Sequence, residues 1–180
     1  YDCYRPARAS KAMAQWAADG KPDGQNKRFY PNLEKRNLFS LGYIASRSQH
    51  STGTAIDLTL IQKSNQTVPL FDPRANYAAC TATAIQRTPD NSIDMGTGYD
   101  CFDEKSHTRS SAISAEQQRH RQLLVSTMAK HGFRNYRREW WGEKINDVMN
   151  IARGEFLCVL ADDDMLAPTY LERTLEAARG

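Results

Sequence analysis

His50 and Asp57 stand seven residues apart in "SRSQHSTGTAIDL", with Gly53 between them. An imidazole and a carboxylate are both ordinary ligands of a divalent metal. A glycine permits the turn that lets a His before it and an Asp beyond it converge. Far along the chain, "FRNYRREWWGEK" sets Glu139 before Trp140 and Trp141 and then places a glycine, Gly142. That run looks like the lead-in to a metal site, and it raises the question of whether such a centre is complete here. Spacing alone leaves structural roles open for all three side chains, since a His and an Asp at this distance, or a Glu before an aromatic pair, also serve turns and strand edges. A third acidic group, Asp162, Asp163 and Asp164, closes the apolar run "EFLCVL".

The elements that must position these residues follow from periodicity. "RPARASKAMAQWAADG" carries Ala9, Ala12, Met13, Trp16 and Ala17 at helical spacing, and Gly20 supplies a stop. Residues 21–40 are rich in Pro, Gly, Asn and charge and read as loop with room for a short helical turn. "AIDLTLI" alternates as a strand, with Ile56, Leu58 and Leu60 on one face and Asp57 on the other. Residues 62–111 hold few periodic segments, and an irregular connection of that length is usually functional. "SAEQQRHRQLLVSTMAKHG" is the clearest helix, with Ser114 and Gln117 as a capping box, Leu123, Leu124, Thr127 and Met128 as its apolar stripe and Gly132 at its end. A strand through "FRNYRREWW" is expected to follow, with Glu139 on the face of Phe133, Asn135 and Arg137.

Beyond Trp141 the pattern changes. "EKINDVMNIARG" reads as a short helix, "EFLCVL" as a strand buried on both faces, and Pro168 as the opening of another helix. Residues 1–141 read as α+β, an antiparallel sheet with flanking helices, and residues 142–180 as a short α/β fragment, with a boundary near 142.

Bulk properties narrow the partners. The 180 residues suffice for one ordinary domain, or one domain and a fragment. A charged fraction of 25% and a mean hydropathy of −0.68 describe a water-facing globular chain without an apolar run of the roughly 18 residues a membrane span needs. The 24 basic and 21 acidic residues are interspersed, so no stripe of the kind that tracks a nucleic-acid backbone is present. Cys3, Cys80, Cys101 and Cys158 form no CxxC pair, which disfavours a thiolate zinc site; the even count permits disulfides, Cys80 with Cys101 for example. Cys158, inside "FLCVL", is expected to be a buried free thiol. "YDCYRP" has the look of a chain beginning inside a domain, without a targeting signal. The compartment and any oligomeric state both stay open.

Several motifs occur here in one order: "DCYRP" with Arg5, "SxHxxGxAxD" with Ser48, His50, Gly53, Ala55 and Asp57, "DMGTGYDCFDEKSH" over residues 94–107, and "NYRREWW" over 135–141. Together they resemble the VanX-type D-alanyl-D-alanine dipeptidases, zinc enzymes of bacterial cell-wall metabolism, over residues 1–141. The resemblance implies that His50 and Asp57 are zinc ligands and that Glu139 is the general base. It implies that Arg5 holds the oxyanion, and that Ser48 and Asp94 bind the termini of a small dipeptide. The family pattern continues Glu-Trp-Trp-His, where the His is the third zinc ligand; this chain has Gly142 there. Glycine donates nothing, so the resemblance implies an impaired zinc centre, and His107, His120, His131 and Glu143 are not expected to complete it.

"NIARGEFLCVLADDDMLAPTYLER" resembles a piece of a family 2, GT-A type glycosyltransferase. Asp163 and Asp164 match its acidic pair, where Mg²⁺ or Mn²⁺ would bridge to a nucleotide-sugar diphosphate. The nucleotide-binding first strand and the acceptor-side base of that family have no counterpart in the sequence. The expectation is therefore a composite chain whose tail does not transfer sugar alone.

Overall fold

The computed structural model describes residues 2–45, 47–63 and 71–145. Helix α1 spans Ala7–Ala18, and Pro6 precedes it with a φ of −53°, the value a proline ring imposes and a first helical turn accepts. Its buried side turns Ala17 inward, with Met13 and Trp16 beside it, onto a core of Tyr30, Leu38 and Ile44. A single turn, α2, covers Asn26–Phe29. Asp23 ties the two together, accepting from Trp16 Nε1 at 2.7 Å and from the Tyr30 hydroxyl at 2.6 Å.

Three short strands form one antiparallel sheet in the order β1 (Ala55–Asp57), β3 (Gly142–Ile145), β2 (Phe133–Asn135). In this register Asp57 faces Gly142, and Asn135 faces Glu143. Helix α3, Ala115–Lys130, carries the expected capping box: Ser114 accepts from the Gln117 N–H, and the Gln117 side chain accepts from the Ser114 N–H. Leu124 is its buried apolar residue and packs with Met95, Trp140 and Trp141 in the second core. The two indoles meet edge to face at 5.3 Å, the arrangement aromatic quadrupoles prefer.

Three readings of the sequence are corrected. The expected strand through residues 133–141 ends at Asn135, because the Asn135 amide turns the chain by donating to Glu139 O and Gly142 O at 3.4 and 3.1 Å. Glu139 therefore sits in a hairpin loop, closed by Tyr136 N–H donating to Gly142 O. Residues 143–145, read as the start of a helix, lie in the central strand of the sheet. The stripe of α3 is narrower than its pattern: Leu123 is 54% exposed, while Arg121 is fully buried.

The irregular stretch before α3 is held by specific bonds. A disulfide joins Cys80 to Cys101, and Cys3 is a free, exposed thiol. Arg121 reaches from α3 into the loop, donating to Met95 O, Lys105 O and His107 O at 2.8, 3.1 and 2.6 Å. The calls on Cys158 and on Asp162, Asp163 and Asp164 lie outside the described residues. Among the described residues no helix is long and apolar enough to cross a membrane.

Candidate functional site

A cavity of about 600 Å³ opens beside the sheet. Arg5, Ser48, His50, Asp57 and Glu139, all singled out in the sequence, line it together with Asp100. Met13, Trp16 and Phe29 form an apolar part of its wall. Its volume falls in the range of small-molecule sites, on the order of 300–1,000 Å³.

Local structure explains how each polar group arrives. Ser48 caps a 3₁₀ turn over Gln49–Thr52, its hydroxyl accepting from the His50 N–H at 3.2 Å. Gly53 ends that turn at φ +71°, a left-handed conformation that a side chain resists. The chain then enters β1 and delivers Asp57 back beside the imidazole, with His50 Nε2 3.3 Å from Asp57 Oδ2. The other ring nitrogen, Nδ1, lies 3.2 Å from Cys3 O. Burial works against charge on His50, but the Asp57 carboxylate outweighs it and raises the pKa.

The N-terminal strand segment completes the group. Asp2 bridges antiparallel to Asp57, whose N–H donates to Asp2 O at 2.8 Å. Arg5 Nε donates to Asp2 Oδ2 at 2.7 Å, and the Arg5 N–H donates to His50 O. One donor atom each from Asp2, His50 and Asp57 all fall within 4.8 Å of one another, an arrangement able to hold a metal ion. An imidazole with two carboxylates is a chemically suitable set for zinc or a related divalent ion.

Glu139 and Asp100 supply further negative charge. Burial, then repulsion from Asp57 and Asp100, pushes Glu139 well above the usual carboxylate range. Burial, then Asp57, pushes Asp100 up to about 7. Asp100 also holds φ +58°, a conformation uncommon outside glycine that recurs at functional positions. Gly142 faces the same space: a Cβ there would stand 3.3 Å from Glu139 Oε2 and 3.6 Å from Asp57 Oδ1. A side chain at 142 would thus enter between Glu139 and Asp57.

Asp94 stands apart from this group. Its Oδ1 accepts from Arg87 and from the Gly96 N–H, and its Oδ2 accepts from Gln117, at 3.1, 3.0 and 2.8 Å. The carboxylate serves the loop and α3, and Asp100, six residues on, is the aspartate that reaches the cavity. Sequence reading missed Asp100 and Asp2. Both lie inside the motifs it quoted, but residue type alone does not tell Asp94 from Asp100. His107, His120, His131 and Glu143 all stay outside the donor cluster.

Fold and site together define an α+β protein with a cavity that gathers carboxylates, an imidazole and an arginine and includes a group able to hold a metal ion. The D-ala-D-ala dipeptidase family of peptidases, M15, matches residues 1–72 and 65–160. The D-alanyl-D-alanine dipeptidase of Enterococcus faecium is 34% identical over 147 residues, 82% of this chain and 61% of that protein. The D-alanyl-D-alanine dipeptidase of Streptomyces coelicolor is 33% identical over 142 residues, 78% and 58% of the respective chains. That of Escherichia coli is 30% identical over 141 residues, 78% and 51%. The chain belongs to the D-ala-D-ala dipeptidase family. It spans about three-fifths of the length of the Enterococcus relative. The family match runs to residue 160, past the boundary expected near 142.

Proposed function

We propose that this chain carries the centre of a zinc-dependent peptidase acting on the dipeptide D-alanyl-D-alanine in bacterial cell-wall metabolism, with its activity lowered by Gly142. The observation that carries the reading is the convergence of Arg5, His50, Asp57 and Glu139 on one cavity of dipeptide size. Family membership and the dipeptidase relatives support it. Zinc, when bound, would activate water and polarise the scissile carbonyl.

The chain's own groups do the rest. His50 and Asp57 would hold the ion. Glu139 accepts a proton from the attacking water and returns it to the leaving amine, the exchange a carboxylate with an elevated pKa performs well. Arg5 places a permanent cation where charge develops on the carbonyl oxygen, a contribution of several kcal/mol in a dry site. Asp100 faces the substrate ammonium and Ser48 the other terminus, where the resemblance had implied Ser48 and Asp94 for the two termini. The apolar wall near Met13 and Trp16 suits small methyl side chains.

A non-hydrolysing D-Ala-D-Ala-binding fold is the second reading, and the missing side chain at 142 favours it. Zinc content and D-Ala-D-Ala hydrolysis, measured in the parent chain beside Gly142→His, separate the two. The proposal expects slow turnover in the parent and a rise of at least tenfold in Gly142→His. Zinc-loaded, folded protein without turnover in either form overturns it and leaves the binding fold.

A further inference from the structure

Position 142 gives no ligand, yet the donor cluster still has three members, because Asp2 joins His50 and Asp57. Asp2 lies far from both in sequence and arrives by backbone pairing: its bridge to Asp57 places the two aspartates on adjacent strand segments. The pairing fixes its main chain, with the Asp57 N–H on Asp2 O at 2.8 Å. Arg5 fixes its side chain, contacting Oδ2 through both Nε and Nη2. These contacts all engage Oδ2 and leave Oδ1 outside them.

We infer that Asp2 is the third protein ligand of the metal in this chain, making a site of one imidazole and two carboxylates. The inference rests on the metal-dependent reading above and adds to it a ligand from a different part of the fold. A carboxylate with one oxygen on a metal and the other held by arginine is a well-oriented ligand, since the outer partner fixes the side chain. Two carboxylates also balance a divalent charge, where His50 and Asp57 alone leave an excess of one. The donor atoms lie within 4.8 Å of each other, and His50 Nε2 and Asp57 Oδ2 are already 3.3 Å apart, a spacing that an ion with ligand bonds of about 2.0–2.2 Å can span. Arg5 then has a second duty: it holds Asp2 in place as well as facing the substrate. The arrangement would give a harder site than one with two imidazoles, less selective for zinc over manganese.

The test is competition for zinc against a chromophoric chelator, with the whole chain in four forms: parent, Asp2→Asn, His50→Ala, and Asp2→Asn combined with Gly142→His. Circular dichroism confirms folding in each. The expected result is one zinc per parent chain, an affinity at least tenfold lower in Asp2→Asn, and recovery when Gly142→His supplies an imidazole. Cobalt substitution gives a second readout. Asp2→Cys should acquire a thiolate-to-cobalt charge-transfer absorption that the parent, which already carries the exposed Cys3, lacks. Asp2→Asn binding zinc like the parent while His50→Ala loses it would overturn the role of Asp2 and leave the metal-dependent reading standing. Cobalt bound to Asp2→Cys without a thiolate band would do the same. Absence of zinc binding in all four folded forms would overturn both.

Discussion

The cavity at His50 and Asp57 and the network at Arg87, Asp94 and Arg121 are assembled from the same kinds of side chain, with opposite electrostatic outcomes. Around Asp94, burial disfavours the charge, but Gln117, Gly96 and Arg87 outweigh it and lower the pKa. Arg121 donates through Nε and Nη1 to three backbone carbonyls, with burial pulling its pKa down to about 10. Around the cavity, Asp57, Asp100 and Glu139 crowd together, and the pKa values of Asp100 and Glu139 are pushed upward. A network that lowers its carboxylate's pKa is a brace. A cluster that raises them stores unfavourable charge, which a cation or a substrate ammonium would relieve.

Breaking the brace should cost the most. Arg121→Ala removes a buried cation and orphans three carbonyls, so we expect a loss of about 3–5 kcal/mol in urea unfolding. Opening the Cys80–Cys101 bridge with the paired Cys→Ser change should cost roughly 3 kcal/mol by the same measurement. It should also disturb the cavity, since Cys101 follows Asp100 directly. Asp94→Asn should cost about 1 kcal/mol, discounted because this side chain is 39% exposed and water screens its partners.

The pH dependence of that last loss sharpens the contrast. The folded pKa of Asp94 lies below its ordinary 3.8. Its contribution is therefore complete above the unfolded value and is lost as pH falls through the folded one. The stability gap between parent and Asp94→Asn should be flat from neutral pH to about 5 and close below about 4. Smallest of all, Asp100→Asn should leave stability of the metal-free protein unchanged or raise it by up to about 1 kcal/mol, since it relieves crowding. Asn also tolerates the left-handed backbone there. A clear destabilisation by Asp100→Asn would make the cavity a second brace and collapse the distinction.

Much of this was legible where the signal is local. The α3 capping box needs two side chains three residues apart, and Ser114 and Gln117 supply both. The convergence of His50 and Asp57 needed one glycine turn, and Gly53 adopts it. The hairpin between β2 and β3 was misread because alternation of side chains cannot show where Asn135 will bond to carbonyls four and seven residues ahead. Asp2 and Asp100 were missed for a related reason. Asp2 reaches the site by pairing with a strand more than fifty residues away, and Asp100 lines the cavity from a backbone with positive φ. Tertiary pairing and a positive φ leave little trace in residue type. The resemblance of residues 143–180 to a glycosyltransferase fragment is an expectation about a segment of which residues 143–145 are described, and those belong to the sheet.

The contrast between brace and cavity is tested most directly by D-alanyl-D-alanine hydrolysis in zinc-supplemented Gly142→His protein, with Glu139→Gln and Asp94→Asn introduced separately and rates taken per folded molecule. The account predicts that Glu139→Gln lowers turnover by on the order of a hundredfold or more, with unfolding little changed, while Asp94→Asn keeps turnover within about threefold despite its lower stability. Turnover that survives Glu139→Gln and disappears in folded Asp94→Asn would contradict it.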